Sequence, residues 1–355
     1  MNQHKNQQSY PARLVMTTLM VVALILGACQ AQSTATQAPE TLTPTSIQFS
    51  WFHDVEFAPF YGAEARNYFQ DGGLAVQLMG GGFDSQGNYT DPVQRVVEGQ
   101  ADFGIAGADQ ILRARAQGLP VVAIATIYQR SPIVLISLGS KNITRPQDLV
   151  GKRIGVQPST ISVGISFEAL LLSQGISHTD LVERSDINFG SVDYLFDDEL
   201  DVMQGFITNQ AIQAQIRNNG DVNLILMSDY GIDLYTDVLF TTEETIAKRP
   251  ELVQSFLNAA CRGAQWSVDN PDATADYFFL SYGKEMDEQT RQVQRQGMLA
   301  SVPLINPAGS RPCLMTLEAW QVAQEILLEQ ALLDSPLNLA EVFTMDFLDQ
   351  FYSGQ

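Results

Sequence analysis

The side chains best suited to holding a flat ligand are concentrated in one run, Trp51-Phe52-His53-Asp54-Val55-Glu56-Phe57-Ala58-Pro59-Phe60-Tyr61. Trp51 and Phe52 offer broad apolar faces that stack on an aromatic ring, and Asp54 offers acceptors for its polar edge. His53 and Tyr61 belong to the same candidate surface. Phe49, Phe57 and Phe69 are expected in the core instead. No Lys or Arg occurs between Ile47 and Ala65. That absence favours a neutral flat ring over a small oxyanion, which guanidinium or ammonium groups would normally grip.

Further candidates lie downstream. Asp109 opens a helix, and Tyr128 ends an apolar strand. Ser159, Thr160 and Ser162 sit in a Ser/Thr/Gly stretch that feeds a helix N-terminus, where free backbone N–H groups and hydroxyls meet an acceptor oxygen or simply cap the helix. Asn209 carries an amide that both donates and accepts. Tyr230 and Tyr235 either face the ligand or pack where the chain returns between lobes. No nucleophile–base–orienter set stands out, and neither G-x-x-x-x-G-K-[ST] nor G-x-G-x-x-G occurs. The three His residues are far apart and no Cys/His cluster has zinc spacing, so neither a metal nor a cofactor is expected.

The elements that must position these groups follow from periodicity. Ile47 to Leu78 reads as a strand, an aromatic turn, a short helix and a second strand, with Pro59 forbidding one helix across the whole run. From Asp91 to Ser137 the order is helix, strand, helix, strand. Pro92 stands in the first turn, Asp109 is placed as a cap, and Val121 to Tyr128 is apolar on consecutive residues, as in a strand covered on both faces. A strand at Ile154–Val156, a helix from Ile165 to Gln174, a helix–strand pair within Ser191–Gly205 and a strand at Asn223–Met227 come next. The last 115 residues read as helices, with Leu252, Val253, Phe256, Leu257 and Ala260 on one apolar stripe and Trp266 expected in the core. The class is α/β.

The N-terminus is a targeting segment. His4, Lys5 and Arg13 precede an apolar run from Leu14 to Leu26, too short to span a bilayer, and Leu26-Gly27-Ala28-Cys29 has the form of a bacterial lipoprotein box. Residues 1–29 are therefore read as a signal peptide that leaves Cys29 to be lipidated. Residues 30–45, rich in Ser, Thr, Ala, Gln and Pro, are read as a flexible tether. The expected location is extracytoplasmic, lipid-anchored to the outer face of the cell membrane, with the anchor as the only membrane contact. The precursor holds 20 basic and 40 acidic side chains, and losing Lys5 and Arg13 takes its net charge from −20 to −22. That balance argues against nucleic acid and anionic lipid as partners. Cys261 and Cys313 either pair in an oxidising compartment or remain as two buried thiols.

Several stretches resemble one family of solute-binding proteins. The opening Trp51-Phe52 turn followed by Phe57-Ala58-Pro59-Phe60-Tyr61 is similar to it. So are Glu98-Gly99-Gln100-Ala101-Asp102-Phe103-Gly104, Ala114-Arg115-Ala116-Gln117-Gly118, Thr208-Asn209-Gln210 and Ser228-Asp229-Tyr230-Gly231-Ile232-Asp233. The family serves ABC importers and binds thiamine pyrimidine precursors or riboflavin. The resemblance runs from Ile47 to Tyr352 and implies a two-lobed periplasmic-binding-protein type II fold with a hinged interlobe cleft. Residues 46–138 plus 229–355 would form lobe 1, and residues 139–228 lobe 2. The implied partners are a small-molecule vitamin or precursor, an ABC permease and its ATPase, with the protein a monomer. Relatives that bind pyrimidines often carry W-x-P-N where this chain has Trp51-Phe52-His53-Asp54. Riboflavin, which would use more aromatic surface, therefore ranks ahead of hydroxymethylpyrimidine or formylaminopyrimidine, and sulfonates or nitrate rank below both. A eukaryotic branch synthesises the pyrimidine with a CCCFC motif. That motif is absent here, so no enzyme is expected.

Overall fold

The continuous apolar run Val121–Thr126 forms a strand buried at every position, as coverage on both faces requires. It belongs to a computed structural model that describes Met1, residues 41–86 and residues 88–354. Cys29, the signal segment and most of the tether lie outside the described residues. From Leu42 onward the chain forms one compact unit.

In chain order the strands are β1 (Thr43–Gln48), β2 (Leu74–Met79), β3 (Gly82–Phe83), β4 (Tyr89–Thr90), β5 (Phe103–Ala106), β6 (Val121–Thr126), β7 (Ile133–Leu138), β8 (Arg153–Gly155), β9 (Val182–Arg184), β10 (Val202–Phe206), β11 (Val222–Leu226) and β12 (Val238–Thr242). They build two five-stranded mixed sheets, ordered β2-β1-β5-β12-β6 and β11-β7-β10-β8-β9, and a β3-β4 ribbon. β12 runs antiparallel to both of its neighbours, inserted between β5 and β6.

Two boundaries differ from the sequence reading. Thr43–Ser46, expected in or next to the tether, are the first residues of β1 and pair in parallel with β2 from Thr43↔Leu74 onward. Main-chain pairing needs no apolar side chain, so a Thr/Ser/Pro stretch joins a sheet edge without announcing it. Ile133–Leu138, assigned above to the first lobe, pairs antiparallel with β10 and β11 in the second sheet. An apolar strand reads alike in either sheet. The chain crosses between the sheets after Thr126 and returns between Leu226 and Val238.

Packing around the first sheet relies on close helix contact. The Ala58–Ala65 and Pro250–Asp269 helices meet at Gly62 and Gly263; a Cβ on Gly263 would stand 2.1 Å from the Pro59 carbonyl oxygen. Phe103 and Phe256 stack at 4.0 Å beneath. Trp266, expected in the core, is half-buried with the Arg66 guanidinium 5.9 Å above its ring, because its turn of the helix reaches the rim of this contact. Cys261 and Cys313 form a disulfide with Cα atoms 5.8 Å apart. The second sheet carries a smaller core around Val134, Ile136, Leu195 and Met203.

Candidate functional site

Beyond β1 the chain folds into a turn whose interior and exterior are both aromatic. Phe49 and Phe57 stack at 4.2 Å inside, and that buried pair closes the turn. Trp51 and Phe52 are left outside, edge-to-face at 5.3 Å. Glycines make room beneath them. Gly81 N–H donates to the Trp51 carbonyl at 2.6 Å, and a Cβ on Gly81 would fall 2.2 Å from the Phe49 oxygen. Gly82, at φ 86°, lies against the Phe52 ring, where both the left-handed backbone and the close approach require glycine. His53 stacks on Tyr282 at 4.3 Å, and its Nδ1 is 3.1 Å from the Tyr61 hydroxyl. Burial lowers the His53 pKa, so the ring is neutral at physiological pH.

Asp54 lies at the centre. It caps the turn Val55–Phe57 by accepting from Glu56 N–H at 3.0 Å. Its other oxygen accepts from Gln294 Nε2 at 2.9 Å and from Asn209 Nδ2 at 3.3 Å. Gln294 Oε1 accepts from Val55 N–H at 2.9 Å, so one amide satisfies both a carboxylate and a backbone donor. Asn209 Oδ1 accepts from Gln213 at 2.7 Å. Three elements meet here: the turn after β1, the loop after β10 and the Glu288–Ile305 helix. Burial raises the Asp54 pKa, and the bonds from Gln294 and Glu56 limit the rise.

Behind Asp54 two further carboxyls, Glu56 and Asp237, act on each other. Burial and the Asp237 charge raise the Glu56 pKa well above its usual value. Asp237 is fully buried and accepts from Thr236 Oγ1 at 2.7 Å. Tyr128 is buried beside the pair with its hydroxyl 2.8 Å from Ser301 Oγ. Ser301 gives its only proton to the Gly297 carbonyl, so Tyr128 is the donor. Burial and these carboxylates hold the Tyr128 pKa well up.

Asp109 is not the helix cap. Gly107 occupies that position and Asp109 is the second helical residue, its side chain committed elsewhere. It accepts from Ser162 Oγ at 2.5 Å and pairs with Arg113 at 3.2 Å, while Arg113 donates to the Thr160 carbonyl at 2.8 Å. Asp109, Thr160 and Ser162 are thus brought together across the two sheets. Ser159 and the Thr160 side chain are exposed. Tyr61 is fully buried against Phe278 and Tyr282. Tyr235 is buried, its hydroxyl accepting from Thr316 N–H at 3.2 Å; Tyr230 is half-buried in the turn Met227–Tyr230. Gln294, Glu56, Asp237 and Ser301 are absent from the candidates that the sequence offers. Gln294 has only its place on an amphipathic helix to mark it, and nothing local links residue 294 to residue 54. Two open surface hollows of about 450 and 460 Å³ are lined by other residues, around Tyr352 and around Phe279.

Solved structures carry the same fold. A sulfonate ABC transporter periplasmic-binding protein from Methylobacillus flagellatus superposes with a TM-score of 0.66 at 15% identity, over 88% of this chain and 95% of its own. Two mixed sheets with a polar and aromatic junction between them are the architecture of the periplasmic-binding-protein fold. Among the described residues no group of three or more His, Cys, Asp or Glu side chains is placed to hold a metal ion, and no helix is long and apolar enough to cross a membrane. Two curated proteins are similar along most of their length. One is the riboflavin-binding protein RibY of Chloroflexus aurantiacus, 29% identical over 94% of this chain and 97% of its own. The other is the formylaminopyrimidine-binding protein of Halalkalibacterium halodurans, 23% identical over 79% and 83%. Residues 54–274 match the NMT1/THI5-like family model, and the chain belongs to that family.

Proposed function

We propose that this protein is the extracytoplasmic binding component of an ABC importer and captures an aminopyrimidine precursor of thiamine. The observation that carries the reading is Asp54, a buried carboxylate met by two amides beside exposed Trp51 and Phe52. An aminopyrimidine presents an amino donor next to a ring-nitrogen acceptor. A carboxylate accepts from the first, and a side-chain amide or a protonated carboxyl donates to the second. Asp54, Asp109 and Asp237 set acidic groups in the region, which disfavours sulfonates and nitrate.

The ranking of ligands shifts from the one the sequence suggests. Riboflavin ranks first there for its use of aromatic surface, yet Tyr61, Tyr128 and Tyr235 are buried and bonded within the protein. The remaining wall suits one small ring. Riboflavin stands as the second reading, supported by the 29% identity to a riboflavin-binding protein.

In this reading β7–β11 form one lobe, the flanking segments form the other, and the two crossings act as a hinge that closes on the ligand. Lipid on Cys29 holds the protein at the outer face of the membrane, where a permease and its ATPase accept the cargo.

Calorimetry with hydroxymethylpyrimidine, formylaminopyrimidine, riboflavin, taurine and nitrate tests the assignment. One equivalent of a pyrimidine bound and returned unchanged is the expected result. Binding of riboflavin alone would replace the pyrimidine and leave the transport role standing. Binding of only taurine or nitrate would overturn the reading of the site.

A further inference from the structure

Among the described residues four aromatic side chains stay open to solvent: Trp51 at 40%, Phe52 at 48%, Phe83 at 49% and Tyr89 at 39% exposure. They form one contiguous surface. The Trp51 ring lies 5.3 Å from Phe52 and 5.8 Å from Phe83, and Phe83 lies 5.5 Å from Tyr89. Contiguous exposed apolar surface of this kind marks a place where something binds.

Phe83 and Tyr89 face each other across the β3-β4 ribbon. Asp84 closes its turn by accepting from Gln86 N–H at 2.8 Å and Asn88 N–H at 2.9 Å. The Tyr89 hydroxyl donates to the Ser50 carbonyl at 3.0 Å, which clamps the ribbon to the turn bearing Trp51. Gly80-Gly81-Gly82 leads into the ribbon and passes against His53 and Phe52. The ribbon is therefore built onto the candidate site, and its orientation relative to Trp51 is fixed.

That orientation selects an occupant. The Trp51 and Phe83 planes meet at 89° and form a right-angled corner. A planar ring laid on one face presents its edge to the other, so offset stacking and edge-to-face contact are made at once. The polar groups lie alongside. Asp54 caps the same turn that carries Trp51 and Phe52, and the Tyr89 bond to Ser50 fastens the ribbon to that turn.

We propose that Phe83, held in place by Tyr89, is a second aromatic wall of the ligand site and sets the width of ring it accepts. The proposal rests on the reading of this protein as a binder of a flat heteroaromatic vitamin or precursor. Wild-type, Phe83→Ala, Tyr89→Phe and Trp51→Ala proteins are titrated calorimetrically with hydroxymethylpyrimidine and with riboflavin. Phe83→Ala should weaken whichever ring the wild type binds by roughly ten- to a hundredfold. Its thermal midpoint should be unchanged, because the side chain is half exposed. Tyr89→Phe should cost about threefold through a looser ribbon. Wild-type affinity in Phe83→Ala together with lost affinity in Trp51→Ala overturns the second wall and leaves the function standing. The second wall also falls if Phe83→Ala keeps its affinity but loses uptake, which assigns the patch to a protein partner. A wild type that binds neither ring overturns both.

Discussion

Ser162 donates to Asp109 across 2.5 Å, joining the helix that follows β5 in the first sheet to the helix that follows β8 in the second. Arg113 strengthens the same junction through the Thr160 carbonyl. Donors left without their acceptor in a buried setting are costly, so Asp109→Ala, which strands the Ser162 hydroxyl and Arg113, should lower the unfolding free energy by about 1–3 kcal/mol. Ser162→Ala should cost less. Both variants should show a larger radius of gyration by small-angle scattering before ligand is added, and identical scattering from all three proteins would count against a latch here.

Gln294 is the second point of dependence. Gln294→Leu leaves Val55 N–H and one Asp54 oxygen short of partners in a buried setting, at a cost of about 1–3 kcal/mol in urea unfolding. Ligand affinity should fall with it. Gln294→Glu should do more harm at neutral pH than in mild acid, since a second carboxyl can share a proton with Asp54 only when one of them is protonated.

The acidic pair behind the site makes stability depend on pH. Burial raises Asp237 from 3.8 to about 6, and Glu56 is raised as well. Between those values the folded protein holds protons that the unfolded chain has released, so this contribution grows as pH falls from about 7 towards about 4. His178 acts in the same sense: the hydrogen bonds it donates to Glu183 and Glu168 raise its pKa, and its contribution is lost as pH rises through the folded value. His53, lowered by burial, opposes both as pH falls through 6.5. The thermal midpoint should rise on going from pH about 7.5 to about 5.5, and Asp237→Asn should flatten that slope.

Reduction of the Cys261–Cys313 disulfide releases a loop whose ends are 52 residues apart. The loop-closure relation puts its contribution at about 4 kcal/mol. Urea unfolding with and without reductant should show a midpoint shift that the Cys261→Ser/Cys313→Ser protein no longer displays.

Labelled fatty acid fed to cells should enter the native protein and be lost in Cys29→Ser. Retained label in that variant would remove Cys29 as the attachment point.

Much of the fold was legible because local chemistry fixed it. Asp91 caps the Pro92–Val97 helix by accepting from Val93 N–H, Thr242 caps the Glu243–Lys248 helix, and the apolar run at β6 is buried throughout. The candidate site was legible only in part. Trp51, Phe52 and Asp54 lie at the junction, and Asn209 joins them. Asp109, Thr160 and Ser162 meet one another, a pairing no local pattern discloses. Tyr61, Tyr128 and Tyr235 look like ligand walls in sequence, since a hydroxylated ring suits a wet cleft and a core equally until its partner is known. Those partners, His53, Ser301 and Thr316, come from distant segments in all but the first case.

The place of β12 also governs when each half becomes foldable during synthesis. β6 has β12 as its sheet neighbour, yet the ribosome makes all five strands of the second sheet between the two. A nascent chain that has reached Leu226 holds everything needed for the second sheet, while six consecutive buried residues at Val121–Thr126 wait without a partner strand. The later half is the first to be complete. Until residue 242 emerges, the earlier half carries an unpaired apolar strand of the kind that chaperones shield and that aggregates when they do not.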